Sequence, residues 1–104
     1  MSKLIFVLKT VIVQNSPGTF YTQWEEQYTS DASVVLVKKT TETLEKSEWQ
    51  NGSAQSIIEF KETFSAIGGE GATLKIVSGN NYHDGELQGS EKTYKVLKGV
   101  WVCV

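Results

Sequence analysis

The chain has 104 residues, which suits a single domain spanning residues 1–104, and its 39% hydrophobic and 21% charged content is typical of a folded protein rather than a disordered one. It contains no arginine, and ten lysines against twelve acidic residues give a net charge of -2, which disfavours nucleic-acid binding. One histidine and one cysteine leave little material for nucleophilic catalysis or a zinc site.

The first predicted strand runs through Lys3–Gln14, where the apolar run Leu4–Leu8 is followed by Val11–Val13. Such a run favours a strand that is covered on both faces. Lys9 interrupts the run and no small-residue cleavage site follows it, so we expect part of the fold here and not a secretory signal. No other stretch approaches the roughly 20 apolar residues of a membrane helix, which predicts no membrane insertion.

Clusters of turn-forming residues recur along the chain at a spacing typical of all-β domains. Thr19–Thr29 is predicted as a strand that carries Phe20, Trp24 and Tyr28 on one face. The clusters are Asn15-Ser16-Pro17-Gly18, Ser30-Asp31, Asn51-Gly52, Gly68-Gly69-Glu70-Gly71, Gly79-Asn80-Asn81 and Gly89-Ser90.

The middle of the chain holds one polar strand and one ambiguous segment. Lys38–Ser47 consists of Thr, Glu, Lys and Ser with Leu44 as its apolar residue, which predicts an exposed edge strand. In Ser56–Ile67 the apolar residues fit both a period of two and one helical face, with Gly68 as a helix C-cap. The Ile57-Ile58 pair and the β character of the surrounding sequence favour a strand.

The C-terminal strand carries apolar residues on both of its faces. Tyr94, Val96, Val100 and Val102 share one parity, and Leu97, Trp101 and Cys103 share the other. Both ends of the chain are therefore predicted to be central strands, with Trp101 in the core and Cys103 as a small buried hydrophobe. The expected fold is an antiparallel two-sheet β-sandwich, largely up-and-down, because this arrangement buries much strand surface in one domain.

The densest group of polar side chains lies between Gly79 and Gly85. It contains Asn80, Asn81, Tyr82, His83 and Asp84. Amides donate and accept hydrogen bonds, a carboxylate accepts them, and an aromatic ring can lie against the apolar face of a sugar, so this set suits a carbohydrate ligand. The alternative is a plain turn, since turns require the same residue types.

Two of the three tryptophans are candidates for such a ring. Trp24 is surrounded by Gln23, Glu25 and Glu26, and Trp49 precedes Asn51-Gly52. Each is predicted either to show its ring to solvent or to lie at the edge of the core. Asn51-Gly52-Ser53 also matches an N-glycosylation acceptor, and a hairpin turn explains it equally well.

Other chemistry has weaker support. A hydrolase would depend on His83 as its base, and no pair of glutamates stands out as a glycosidase pair. Asn80, Asn81 and Asp84 could supply part of a calcium site, but no cofactor is predicted. We therefore expect a protein that binds its ligand without transforming it.

In length, in β character and in the Leu4–Val13 opening without a cleavable leader, the chain resembles the small hemagglutinins of plasmodial slime moulds, which are reduced relatives in fold of legume-lectin-like sandwiches. The resemblance covers the whole length and implies an extracellular or cell-surface lectin that binds the glycans of glycoproteins. Asn80, Asn81 and Asp84 are similar to the Asn and Asp that lectins use for sugar hydroxyls, with Tyr82 or Trp49 as the stacking ring. Larger members bind calcium and manganese through clustered acids, which this sequence lacks.

Two functions follow from these observations. The first is a non-catalytic lectin whose site comprises Trp24, Trp49 and Asn80–Asp84. Agglutination would require more than one site per particle, through a homodimer or through two sites per chain. The second is a protein-interaction or inhibitor module that uses the same surface or the Lys38–Ser47 edge.

Overall fold

The computed structural model describes residues 2–16, 21–50, 53–80, 87 and 89–104. The described residues form strands joined by turns, and they include no helix that is long and apolar enough to cross a membrane. This confirms the all-β prediction. The strands are β1 (Ser2–Ser16), β2 (Tyr21–Ser30), β3 (Val35–Gln50), β4 (Ser53–Gly68), β5 (Thr73–Asn80), β6 (Glu91–Leu97) and β7 (Val100–Cys103).

These strands belong to one antiparallel sheet with the order β3-β4-β1-β2-β5-β6-β7. The antiparallel arrangement is confirmed, whereas two separate sheets are not, because a hydrogen-bonded ladder joins every neighbouring pair. Chain neighbours are also sheet neighbours in the β1–β2 and β3–β4 hairpins and in the β5-β6-β7 meander. The up-and-down order is interrupted where β4 pairs with β1 and β2 pairs with β5.

The sheet curls at β2, which changes partners along its length. Its first half pairs with Thr10–Gln14 of β1, and its second half, Trp24–Ser30, pairs with β5. Since the β1–β2 ladder ends at Thr10, the two halves of the sheet separate there and close over each other. The ring centroid of Tyr28 thereby comes to 6.1 Å from that of Phe6 and 5.3 Å from that of Phe64.

The core lies where the two halves of the sheet face each other. Phe6 and Phe64 oppose each other in the β1–β4 ladder, and their rings stack with centroids 5.4 Å apart. The buried cluster also contains Leu8, Ala66 and Leu74. Removal of this apolar surface from water is the main force that holds the curl closed.

β4 shows that the ambiguous segment Ser56–Ile67 is a strand. It pairs with β1 on one side and with β3 on the other. A helix would give up both ladders, so the strand prediction is confirmed through non-local pairing. Gln50 pairs with Ser53, which fits the predicted hairpin at Asn51-Gly52, although these two residues lie outside the described part.

β3 and β7 are the edges of the sheet. All side chains of Lys38–Ser47 are exposed, which confirms the predicted edge strand, and the register shifts between Lys38 and Thr40 as at a bulge. The central position predicted for the last strand is wrong, and Cys103 is exposed rather than buried. The reason is that β7 pairs with β6 alone. Trp101 packs against the core, as predicted.

β1 is a central strand as predicted, but its first half is covered on only one face. Phe6 is buried, while Ile5 and Val7 are 55% and 47% exposed. The expectation of two covered faces is wrong here because the curled half of the sheet closes over the Phe6 side alone. Val35 and Val37 of β3 are also exposed, and we refer to Ile5, Val7, Val35 and Val37 as the outer apolar patch.

Asp31 opens the predicted turn between β2 and β3, and it also ties that turn to the start of β5. Its carboxylate accepts hydrogen bonds from the backbone N–H and the hydroxyl of Ser33, and from the backbone N–H of Thr73 at 2.8 Å and the Thr73 hydroxyl at 3.1 Å. These bonds favour the charged form. Led by the Ser33 hydroxyl, they lower the pKa of Asp31 from 3.8 to about 2.

Candidate functional site

The predicted site residues differ in how the structure describes them. Trp24 and Asn80 are described with their side chains. Trp49 has a described backbone position, and its side chain lies outside the described part. Asn81, Tyr82, His83 and Asp84 lie outside the described residues altogether.

Trp24 and Asn80 are direct partners in the β2–β5 ladder. Opposed residues of an antiparallel pair project from the same face, with Cβ atoms about 5 Å apart. Both side chains are exposed, Trp24 to 38% of its surface. An aromatic ring and an amide group are therefore neighbours at the end of β5, directly before residue 81.

The chain returns to the same place after residues 81–88. The backbone N–H of Ser78 donates to the Ser90 carbonyl oxygen at 2.8 Å, and the Ser78 hydroxyl donates to it at 3.4 Å. Gly89 allows this approach, because a Cβ at its position would overlap the Ser78 carbonyl oxygen. Both ends of the polar segment are thus held beside the Trp24–Asn80 pair.

A cleft of about 310 Å³ opens beside this pair, where β2 leaves β1. Glu26, Ser78 and Lys92 supply charged and hydroxyl groups to its lining. Glu26 opposes Ser78 in the ladder, two residues from Trp24 and Asn80 along each strand. Residues two apart on a strand share a face, so the cleft and the pair lie on the same face of β2 and β5.

Trp49 lies far from the Trp24–Asn80 pair. It shares a row of the sheet with Ser16 of β1, whereas Trp24 shares a row with Val11, five residues earlier. Three strand spacings also separate β3 from β2. At usual sheet dimensions the two backbones are about 20 Å apart.

A cluster that the sequence did not reveal surrounds Glu59 on β4. One oxygen of its carboxylate, Oε1, lies 3.5 Å from Nζ of Lys9 and 3.3 Å from Nζ of Lys61. Partial burial raises the pKa of Glu59, but the two ammonium groups outweigh it and leave that pKa below its usual value. In the sequence Glu59 is one glutamate among many, since only the β1–β4 register brings Lys9 to it.

This cluster borders a cavity of about 440 Å³ on β3 and β4. Glu42, Thr43 and Leu44 complete its lining, and Leu44 is 57% exposed. Leu44 opposes Glu59, and Glu59 opposes Val11, the residue that pairs with Trp24. The cavity and Trp24 therefore lie along one row of the sheet.

No group of three or more His, Cys, Asp or Glu side chains that could hold a metal ion occurs among residues 2–16, 21–50, 53–80, 87 and 89–104. Of the predicted partial calcium shell, Asn80 is the member that falls within this part of the chain.

Comparisons of the chain with protein-family models, with curated proteins and with solved structures find no match.

Proposed function

We propose that this protein is a non-catalytic lectin that binds glycans of glycoproteins, with Trp24 and Asn80 at the centre of its site. The observation that supports this proposal is the direct pairing of an exposed Trp24 with Asn80 beside a cleft that has Glu26, Ser78 and Lys92 in its otherwise apolar lining.

The chemistry of the pair matches that of a sugar. A pyranose has an apolar C–H face that can rest on an indole ring, and hydroxyls that can donate to and accept from the Asn80 amide. Glu26 and Lys92 in the adjoining cleft would add an acceptor and a donor. Each such bond replaces one with water and contributes about 1 kcal/mol, so affinity per site is expected to be modest.

Asn81, Tyr82, His83 and Asp84 join the proposed site on the strength of the sequence, since they directly follow Asn80. In this proposal metal is not required, so a chelator is expected to leave binding unchanged. If the segment instead completes a calcium site, a chelator will abolish binding.

The resemblance to the slime-mould hemagglutinins adds two elements to the proposal. The two halves of the curled sheet, packed across one core, would take the place of the two sheets of a legume-lectin-like sandwich. Agglutination at the outside of a cell would then require bivalency, through a homodimer or through a second site on the chain.

The test is a titration of the labelled protein with a panel of glycans, followed by NMR. We expect shifts at the Trp24 indole and the Asn80 amide, and at least a tenfold loss of affinity in Trp24→Ala, because loss of the ring removes the stacking surface. Trp49→Ala is the matched control and is expected to bind normally. Absence of shifts at Trp24 and Asn80 with every glycan would refute the proposal.

A second candidate function is a protein-interaction or inhibitor module, which the outer apolar patch favours. Its four exposed side chains lie on β1 and β3, the two strands that flank β4. Exposed apolar groups of this kind often mark protein interfaces. This candidate predicts binding to a deglycosylated partner that free sugars do not compete away, and loss of that binding in Val37→Lys.

The proposal treats the protein as a binder and not a hydrolase. If any hydrolytic activity is detected, His83→Ala decides its source, since His83 is the single imidazole of the chain.

A further inference from the structure

We propose that the cavity beside Glu59 is a second subsite of the same glycan-binding surface, and that the ligand is a neutral oligosaccharide that crosses β1 from Trp24 to Leu44. This inference rests on the proposed lectin function.

The first support is the register of the sheet. Leu44, Glu59, Val11 and Trp24 are successive cross-strand partners, on β3, β4, β1 and β2. Such partners project from one face, so these side chains form a line across the sheet. At the usual strand spacing the line is about 14 Å long, which exceeds one sugar ring and suits a chain of sugars.

The second support is the hydrogen-bonding capacity that the ion pairs leave unused. The side chains of Lys9 and Lys61 are 43% and 47% exposed, and each ammonium has three donors, of which the contact with Glu59 engages one. Glu59 is held in place by both lysines, with its side chain 19% exposed. Sugar hydroxyls, which both donate and accept, would find fixed partners of both kinds.

The third support is the balance of charge, which selects the class of glycan. In the lining itself Lys61 contributes one positive charge and Glu42 and Glu59 contribute two negative charges, while Lys9 contacts Glu59 from outside the lining, so the site offers no excess of positive charge to an anion. An anionic sugar would meet a carboxylate on either side of Lys61, because Glu42 opposes Lys61 in the ladder and Glu59 contacts it. A neutral sugar meets no such repulsion.

Apolar surface completes the subsite. Leu44 is 57% exposed at the border of the cavity, and it is the one apolar residue of the Lys38–Ser47 stretch of the edge strand. An exposed leucine in this position can contact the C–H face of a sugar ring, as Trp24 would at the other end of the line. Val11 lies between Glu59 and Trp24 and links the two subsites.

The experiment compares monosaccharides with neutral oligosaccharides. Mannose, galactose and N-acetylglucosamine are titrated alongside uncharged N-glycan fragments and their sialylated forms. We expect the best neutral oligosaccharide to bind at least tenfold more tightly than its component sugars, and to shift the Leu44 methyl signals of the unmutated protein.

Two variants test whether the gain in affinity of oligosaccharides over monosaccharides comes from the cavity. Glu59→Gln and Leu44→Ala are expected to lower oligosaccharide affinity about tenfold and to leave monosaccharide affinity unchanged. Glu48→Gln is the matched control, since Glu48 is also ion-paired, with Lys46 at 2.9 Å, outside the cavity lining.

Four results would overturn the inference. The second subsite would be excluded if oligosaccharides bound no more tightly than monosaccharides. It would also be excluded if oligosaccharides kept full affinity in both variants and did not shift the Leu44 signals. In either case, binding that depends on Trp24 would still support the lectin proposal. Preference for the sialylated forms would contradict the proposal that the ligand is a neutral oligosaccharide. If no glycan bound the unmutated protein, both proposals would fail together.

Discussion

The two ends of the long ribbon formed by β3, β4 and β1 differ in what they bury. At one end Phe64 and Ala66 of β4 are 8% and 0% exposed, beneath the curled half of the sheet. At the other end no side chain of residues 54–60 is buried. Packing energy is thus concentrated at the core end, and replacement of a partly exposed side chain at the distal end, such as Glu59, is expected to cost less stability than replacement of Phe64.

The largest effect is expected from a cavity at the core end. Phe64→Ala removes a ring that stacks on Phe6 and touches Tyr28, which should cost about 3 to 5 kcal/mol of unfolding free energy. Urea denaturation measures this loss. Phe60→Ala is the control. Phe60 lies four residues from Phe64 on the same strand, toward the distal end, and its loss should cost clearly less unfolding free energy. Equal losses would contradict the contrast between the two ends.

The next effect is expected at the returning segment beside the proposed site. Gly89→Ala forces a Cβ against the Ser78 carbonyl oxygen, so the backbone must shift, at a cost of about 1 to 3 kcal/mol. Gly69→Ala, where a Cβ meets no atom within 4 Å, is the control and should be nearly neutral. Thermal unfolding measures both losses, and equal melting temperatures for the two variants would contradict a close approach at Gly89.

A smaller effect is expected from pH at the Asp31 turn. The folded-state pKa of Asp31, about 2, lies below the usual 3.8, so the folded state gains stability from ionised Asp31. This contribution is fully present above pH 3.8 and is lost as pH falls toward 2. Asp31→Asn should be less stable than the unmutated protein at pH 7, and this difference should shrink between pH 3.8 and 2 in urea titrations. If the difference in stability between the two proteins did not change with pH, the charge of Asp31 would not be the source of the stabilisation.

The smallest effect is expected from the surface ion pairs of the ribbon. Nζ of Lys38 lies 2.7 Å from Oε2 of Glu62, but both side chains are more than two-fifths exposed, so solvent screens their attraction. A double-mutant cycle of Lys38→Ala and Glu62→Ala should give less than about 0.5 kcal/mol of coupling. A larger value that survives high salt would show that the edge of the ribbon is more rigid than its exposure indicates.

Local sequence patterns predicted much of the fold. Polar Lys38–Ser47 indicated an edge strand because charged side chains are one of the ways in which sheets protect an edge. Asn51-Gly52 indicated a hairpin, and Gln50 does pair with Ser53. The same patterns led to the wrong prediction that Cys103 is buried in a central strand. Alternation identifies a strand but carries no information on whether another strand lies beyond it.

The candidate site was predictable only in part. Trp24 and Asn80 were both chosen for their chemistry, yet nothing in the sequence paired them, since 55 residues lie between their positions along the chain. Trp49 was chosen on the same grounds and lies about 20 Å from Trp24 at usual sheet spacings. Glu59 was overlooked because its lysine partner on β1 is distant in sequence.

By itself the sequence determined that the chain forms antiparallel strands, that turns follow Asp31 and Gly69, and which residues are candidates for ligand binding, because alternation and turn chemistry act between near neighbours. Tertiary structure alone decided which strands lie side by side, that β2 leaves β1 and curls the sheet, and which residues meet across the ladders. Those outcomes depend on contacts between distant segments, whose energies are summed over the whole sheet and are not encoded in any single stretch.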